Sequence, residues 1–304
     1  MIGSSVQPIT PNNMRSFLAI LALVIPVSLT VAQLPSGTPA ADRYANAQPP
    51  SDLNHPRPIP RRDTVFIEEM TWMEVRDARD AGQNRIIIPT GGIEQNGPYL
   101  ALGKHNFVLR QDCEAIARRL GDTLVAPIIP FVPEGHHSPK THHMRYPGTI
   151  SISEETFERL LADIATSFQV HGFKEILLLG DSGDNQFGME KVAQRLSQAW
   201  QGQPTRIHFI AEYYAPSAIR EWLEERGIHE VDEGLHDRFR YGAQIATLDS
   251  DLIRFSERRK AGLAHINGIS LLPIEKTKAL GWELIDFQAQ RTVTAIRRHL
   301  EDAP

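Results

Sequence analysis

Apolar residues recur along this chain with two alternating rhythms. Short β-branched or leucine-rich runs predict buried strands over 85–89 (RIIIP), 123–127, 175–179 (EILLL) and 206–211. Helical spacing fills the intervals. Thr71 followed by Glu74 forms a capping box that opens a helix over 72–81, and Gly82 lies just beyond its end. A helix over 106–120 puts Val108, Cys113, Ile116 and Leu120 on one face. Ser153 is placed to cap another, with Glu154 and Glu155 in the first turn, where carboxylates suit the helix dipole. Its stripe is Phe157, Leu160, Leu161, Ile164 and Phe168, and Gly172 ends it. A further helix is predicted over 188–200, and a long one over 274–300 with a break near Gly281. Apolar strands separated by helices predict an α/β fold whose mostly parallel sheet is covered on both faces. Ligands of such sheets bind beyond the carboxyl ends of the strands. The loops at 90–105 and 180–185 leave at such ends.

Upstream the pattern changes. Residues 17–32 (FLAILALVIPVSLTVA) follow Met14 and Arg15 and end in small residues. This is the pattern of a secretory signal over 1–32, cleaved after Ala32, with Met14 as an alternative starting residue. The expected location is the periplasm or the exterior, and the competing expectation is an uncleaved anchor. Pro26 and the short apolar run argue against a membrane span. Seven of the chain's 21 prolines fall within 33–63, which excludes a regular helix or a central strand and predicts a disordered tether. The folded domain is then 64–304. A net charge of −5 gives no electrostatic reason to expect nucleic acid as a partner. A single cysteine, Cys113, excludes an internal disulfide and any cysteine-rich zinc site.

The polar loops hold the candidate chemistry. The first reads TGGIEQNGPYLALGKHN, in which Glu94, Asn96 and His105 can bind a cation. The second reads GDSGDN and lacks the Lys-Ser/Thr pair of a phosphate loop. A third carries His136, His137, His142 and His143, and a fourth polar cluster surrounds His236. Taken singly, each of these loops is explained by turn chemistry. Two of them leaving neighbouring strand ends is what points to a site.

Four ordered segments resemble the creatininase (creatinine amidohydrolase) family. IEQNGPYLALGKHN is similar to that family's I-E-Q-H-G-P-H-L-P-L-G-T-D loop, and HMRYPGTISI to its H-M-x-F-P-G-T-I-S-L segment. GDSGDN stands in place of N-G-H-G-G-N, and GLHDRF in place of G-I-H-A-x-E. The likeness runs over about 71–300. It implies a three-layer α/β/α domain, a homo-oligomer (often a hexamer), and a two-metal site of zinc or manganese that hydrolyses C–N bonds of small amides.

The departures fall on the ligands that the resemblance implies. Glu94 is kept. Asn96, His105 and Ser182 stand where the family has a His, a bridging Asp and a His. Asp184 stands where some members have Glu, Tyr241 replaces a Glu, and Tyr99 replaces a His. A carboxylate can join two metals, whereas an imidazole has one lone pair to offer. The expectation is therefore a mononuclear centre of Glu94, His105 and Asp184, holding one zinc or manganese ion, with Asn96 and Ser182 as weak donors. His236 is expected to shuttle a proton, with Glu94 and Asp184 completing the catalytic set. Tyr99, His143 and Tyr241 are expected in the substrate pocket. Two classes of function follow. One is an exported metal-dependent amidohydrolase acting on a small-molecule amide or cyclic amide. The other is a non-catalytic binding or scaffold protein on the same fold.

Overall fold

The computed structural model describes residues 53–301. The expected signal segment and residues 33–52 of the expected tether lie outside the described residues. The compact unit begins at Arg57, and within 57–63 the arginines engage the first helix. Arg57 Nε is 2.8 Å from Asp77 Oδ2, and the Arg62 amide donates to Glu74 Oε1 at 2.6 Å.

That helix, α1 (Trp72–Asp80), opens with the expected capping box, both arms formed. It leads into β1 (Arg85–Thr90) and then α2 (Lys104–Leu120). Next come β2 (Thr123–Val125), α3 (Glu154–Val170), β3 (Glu175–Gly180), α4 (Asn185–Ala199) and β4 (Arg206–Phe209). The four strands form one parallel sheet in the order β2-β1-β3-β4. Ile86 lies opposite Leu124 and Ile176, and Ile87 opposite Val125 and Leu177.

The alternation along each strand sorts the core into two layers. Ile86, Ile88, Ile176 and Leu178 face Phe157 and Leu161 of α3 and Met189 and Val192 of α4. Ile87, Leu177 and Leu179 face Leu109, Cys113 and Ile116 of α2 and Ala289, Val293 and Ile296 of the last helix. Both faces are therefore covered by helices, and the apolar runs are buried because each strand has two inner sides. Cys113 is fully buried, packed as a small hydrophobe.

Several boundaries differ from the sequence reading. The strands expected to end at 127 and 211 stop at Val125 and Phe209, the second giving way to a 3₁₀ turn, Ala211–Tyr213. Leu160 is 36% exposed, although Phe157 and Leu161 beside it are buried, so the α3 stripe is narrower than expected. The last helix, α8 (Ile274–Glu301), runs unbroken through Gly281. Before it come α5 (Pro216–Glu224), α6 (Phe239–Leu248), α7 (Phe255–Lys260) and a small hairpin, β5 (His265–Ile266) with β6 (Ile269–Ser270). These had no counterpart in the sequence reading. They bury a third cluster, with Trp222, Leu223, Phe239, Ile245 and Leu284. This cap stands over the carboxyl ends of the sheet and supplies one wall of the cavity there. Among the described residues no helix is long and apolar enough to cross a membrane.

Candidate metal centre

Glu94 sits four residues past the end of β1 and is 2% exposed. The chain must turn closely to bring it there. At Gly92 a Cβ would lie 2.4 Å from Glu134 Oε1, so any other residue there would have to displace that carboxylate. Four nitrogens from three elements converge on the Glu94 carboxylate. Lys104 Nζ and His105 Nε2, from the start of α2, lie 2.8 and 2.9 Å from Oε1. His236 Nε2, from the loop before α6, is 3.1 Å from the same oxygen, and His143 Nε2, from the 3₁₀ turn His142–Arg145, is 3.1 Å from Oε2. Burial pushes Glu94 toward its neutral form. Hydrogen bonds from His105 and His236 and the charge of Lys104 together outweigh it and hold the acid well below the usual carboxylate range.

A buried chain of polar groups supports this carboxylate from behind. His105 Nδ1 is 2.7 Å from Asp181 Oδ2, and Asp181 Oδ1 accepts from Arg240 at 2.5 Å. Arg240 donates to Gln244, Gln244 to Asp112, and Tyr213 closes the chain onto Asp112 at 2.9 Å. Burial would raise Asp181, but the Arg240 charge and the His105 hydrogen bond hold it down. Asp112 is pushed up to about 7 by burial, against the opposing charge of Arg240. Glu134, fully buried beside Glu94, is pushed up to about 10, by burial first and by the Glu94 charge second, so it is a neutral acid at pH 7. Burial also lowers Lys104 and His143.

Among the described residues one group has metal-ligand spacing: Glu94, His143 and His236, with ligand atoms within 4.8 Å of one another. Two imidazoles and a carboxylate fit one divalent ion with an open position. The expected trio is arranged otherwise. Both ring nitrogens of His105 face carboxylates, which leaves no lone pair for an ion. Asp184 is exposed at the start of α4 and lines the cavity without joining the group. Asn96 is spent on its own loop, its Nδ2 donating to the carbonyls of Glu94 and Ala101, while its buried Oδ1 has no hydrogen-bond partner. Ser182 lines the cavity, and its carbonyl accepts from Gln186. Tyr241 lines the cavity with its ring edge-on to His105, whereas Tyr99 packs under Arg258. Of the four histidines in the third loop, His143 alone reaches Glu94; His136, His137 and His142 line a separate hollow.

Sequence reasoning missed Lys104, Glu134, Asp181 and Arg240. Asp181 and Lys104 carried a signal, since one follows a strand directly and the other replaces the Thr of the resembled motif. Nothing local marks Glu134 or Arg240. The whole site opens into a cavity of about 580 Å³ that also includes Tyr214, Arg220, Asp232 and Arg238.

Fold and site define a three-layer α/β/α protein with a carboxylate–imidazole centre at the carboxyl ends of its parallel strands. A family model described as Creatininase, creatinine amidohydrolase, matches residues 68–265, more than half of the chain, and the chain belongs to the creatininase family. It is 31% identical over 167 residues to 3-dehydro-scyllo-inosose hydrolase of Thermotoga maritima, covering 55% of this chain and 51% of that protein. It is 26% identical over 124 residues to creatinine amidohydrolase of Pseudomonas putida, covering 40% of this chain and 46% of that protein. The chain thus spans about half the length of the curated relatives it matches. A crystal structure of creatinine amidohydrolase superposes with a TM-score of 0.55 at 20% identity, over 80% of this chain and 100% of that one. Solved creatininases of this fold include a manganese form and a Zn–Zn form.

Proposed function

We propose that the protein is a metal-dependent hydrolase that cleaves the C–N bond of a small amide or cyclic amide. The observation that carries this reading is the Glu94, His143 and His236 group at the floor of the cavity. One zinc or manganese ion held there would polarise a carbonyl and make a bound water more acidic. In this reading His236 acts as a ligand, because a nitrogen bound to an ion has no lone pair with which to carry a proton. Asp184, solvent-exposed on the cavity wall, takes the proton from the attacking water and delivers it to the departing nitrogen. The new bond is carbon to water oxygen, the broken bond is carbon to nitrogen, and the proton balances the two. His105, held between Glu94 and Asp181, fixes the orientation of the ligand carboxylate, and Arg240 holds Asp181 in turn. The cavity volume suits a small molecule, and its mixed acidic and basic lining suits a polar one.

Support also comes from relatives whose names denote hydrolases of small molecules. We further propose export through the signal pattern of residues 17–32, and assembly as a homo-oligomer. Amino-terminal sequencing of the mature protein and its sedimentation mass test these two.

The experiment for the activity is turnover of cyclic and linear amides by zinc- or manganese-loaded protein, followed by mass spectrometry for the gain of one water. Turnover that disappears in Glu94→Gln, together with the bound ion, is the expected result. A bound ion with no turnover of any amide would leave the non-catalytic binding reading in its place.

A further inference from the structure

Lys104 is the unusual component of this centre. Its side chain is 3% exposed, and its Nζ lies 2.8 Å from Glu94 Oε1. The same nitrogen lies 3.4 Å from the His236 carbonyl and 4.9 Å from the centre of the Tyr241 ring. The negative charges nearest to it are those of Glu94, its ion-pair partner, and of Asp181 behind His105, which belong to two different loops. A buried ammonium in such a setting is a fixed point charge with no lone pair, placed among carboxylates that would otherwise attract a cation.

Charge arithmetic leads to the same place. Two carboxylates in this region sit in ion pairs, Glu94 with Lys104 at 2.8 Å and Asp181 with Arg240 at 2.5 Å. The two pairs balance before any ion arrives. A divalent ion on the Glu94, His143 and His236 side adds two positive charges to this balanced set, and each further ion adds two more. A second ion would have to approach Glu94 on the side of Oε1, where Lys104, His105 and His236 already crowd. His105 offers such an ion no lone pair, since both of its ring nitrogens face carboxylates.

Resting on the metal reading of Glu94, His143 and His236, we infer that Lys104 is the resident cation of the centre. It takes the side of Glu94 where a second divalent ion would bind, and so limits the chain to a single exchangeable ion. In the motif that this loop resembles the position is Thr, so one substitution supplies the charge. Lys104 is a positioning residue in this account, acting on the ion through Glu94.

The test is zinc binding by isothermal titration calorimetry, with stoichiometry by elemental analysis, on wild type, Lys104→Gln and Lys104→Arg. Removing a like charge beside the bound ion should tighten zinc binding by at least about tenfold in Lys104→Gln. Lys104→Arg, which keeps the charge, should stay near wild type. Equal or weaker zinc binding by a folded Lys104→Gln, as judged by its near-ultraviolet circular dichroism, would overturn the inference. Wild-type protein provides a second measurement in case Lys104→Gln does not fold. X-ray absorption of the zinc-loaded wild type should show no metal neighbour in the range of about 3.5–4 Å typical of paired sites, and finding one would overturn the inference while leaving the hydrolase reading standing. No zinc in wild type with tight zinc in Lys104→Gln would mean that Lys104 excludes every ion, and would overturn the single-ion inference. No zinc in any of the three would remove the metal reading and this inference together.

Discussion

Four nitrogens on one carboxylate make Glu94 the most heavily engaged side chain of the site. Its partners in turn depend on the buried chain behind them, where removing one member leaves another uncompensated. Asp181→Asn would leave the Arg240 guanidinium buried without its counter-charge. The expected cost is about 3–5 kcal/mol of stability, read from urea unfolding; a loss within about 0.5 kcal/mol would mean that the pair is not a working unit. Asp112 gives a prediction with a definite sign in pH. Its folded-state acid is raised to about 7 from an ordinary value of 3.8. The folded protein therefore binds more protons than the unfolded chain between these values, and the Asp112 contribution to stability falls as pH rises through that window. Asp112→Asn resembles the neutral acid and removes this dependence. Its stability should gain on wild type by up to about 1.4 kcal/mol per pH unit from pH 4 to 7 and level off above. A difference independent of pH would show that Asp112 does not titrate there.

At the scale of elements, Gly281 shows how a local signal can be read correctly and placed wrongly. A glycine inside a helical pattern suggests a break, yet α8 continues through it. A Cβ at 281 would lie 2.2 Å from the Ala243 carbonyl of α6, so the glycine permits two helices to approach closely. At an exposed helix position Gly→Ala would stabilise by about 1 kcal/mol. Here Gly281→Ala should instead lower stability by roughly 1–3 kcal/mol, because the obstacle is backbone and cannot rotate away. A raised melting temperature would contradict the packing. The strands were legible in the sequence because burial on both faces makes them continuously apolar, as in RIIIP and EILLL. The helices α5 to α7 were missed because they are short, spanning 9, 10 and 6 residues, although α5 buries a clear apolar face of Ile219, Trp222 and Leu223. The loops bearing Glu94 and His236 were legible as chemistry through the family resemblance. Their pairing with His143, rather than with His105 and Asp184, depends on contacts between residues far apart in sequence, and no spacing rule reports those.

At the scale of the whole molecule, the amino-terminal approach and the metal centre make separate claims. The arginines of 57–63 bond to α1, so a chain beginning at residue 64 should lose on the order of 1–3 kcal/mol relative to one beginning at Arg57, by urea unfolding. Equal stability of the two would show that these contacts contribute nothing. The central claim, that Glu94, His143 and His236 hold one divalent ion, is tested most directly by zinc stoichiometry. Elemental analysis after equilibrium dialysis should give one ion per chain in the wild type, and close to none in Glu94→Gln and in the double variant His143→Ala, His236→Ala. Full zinc retention by the folded double variant would contradict the account.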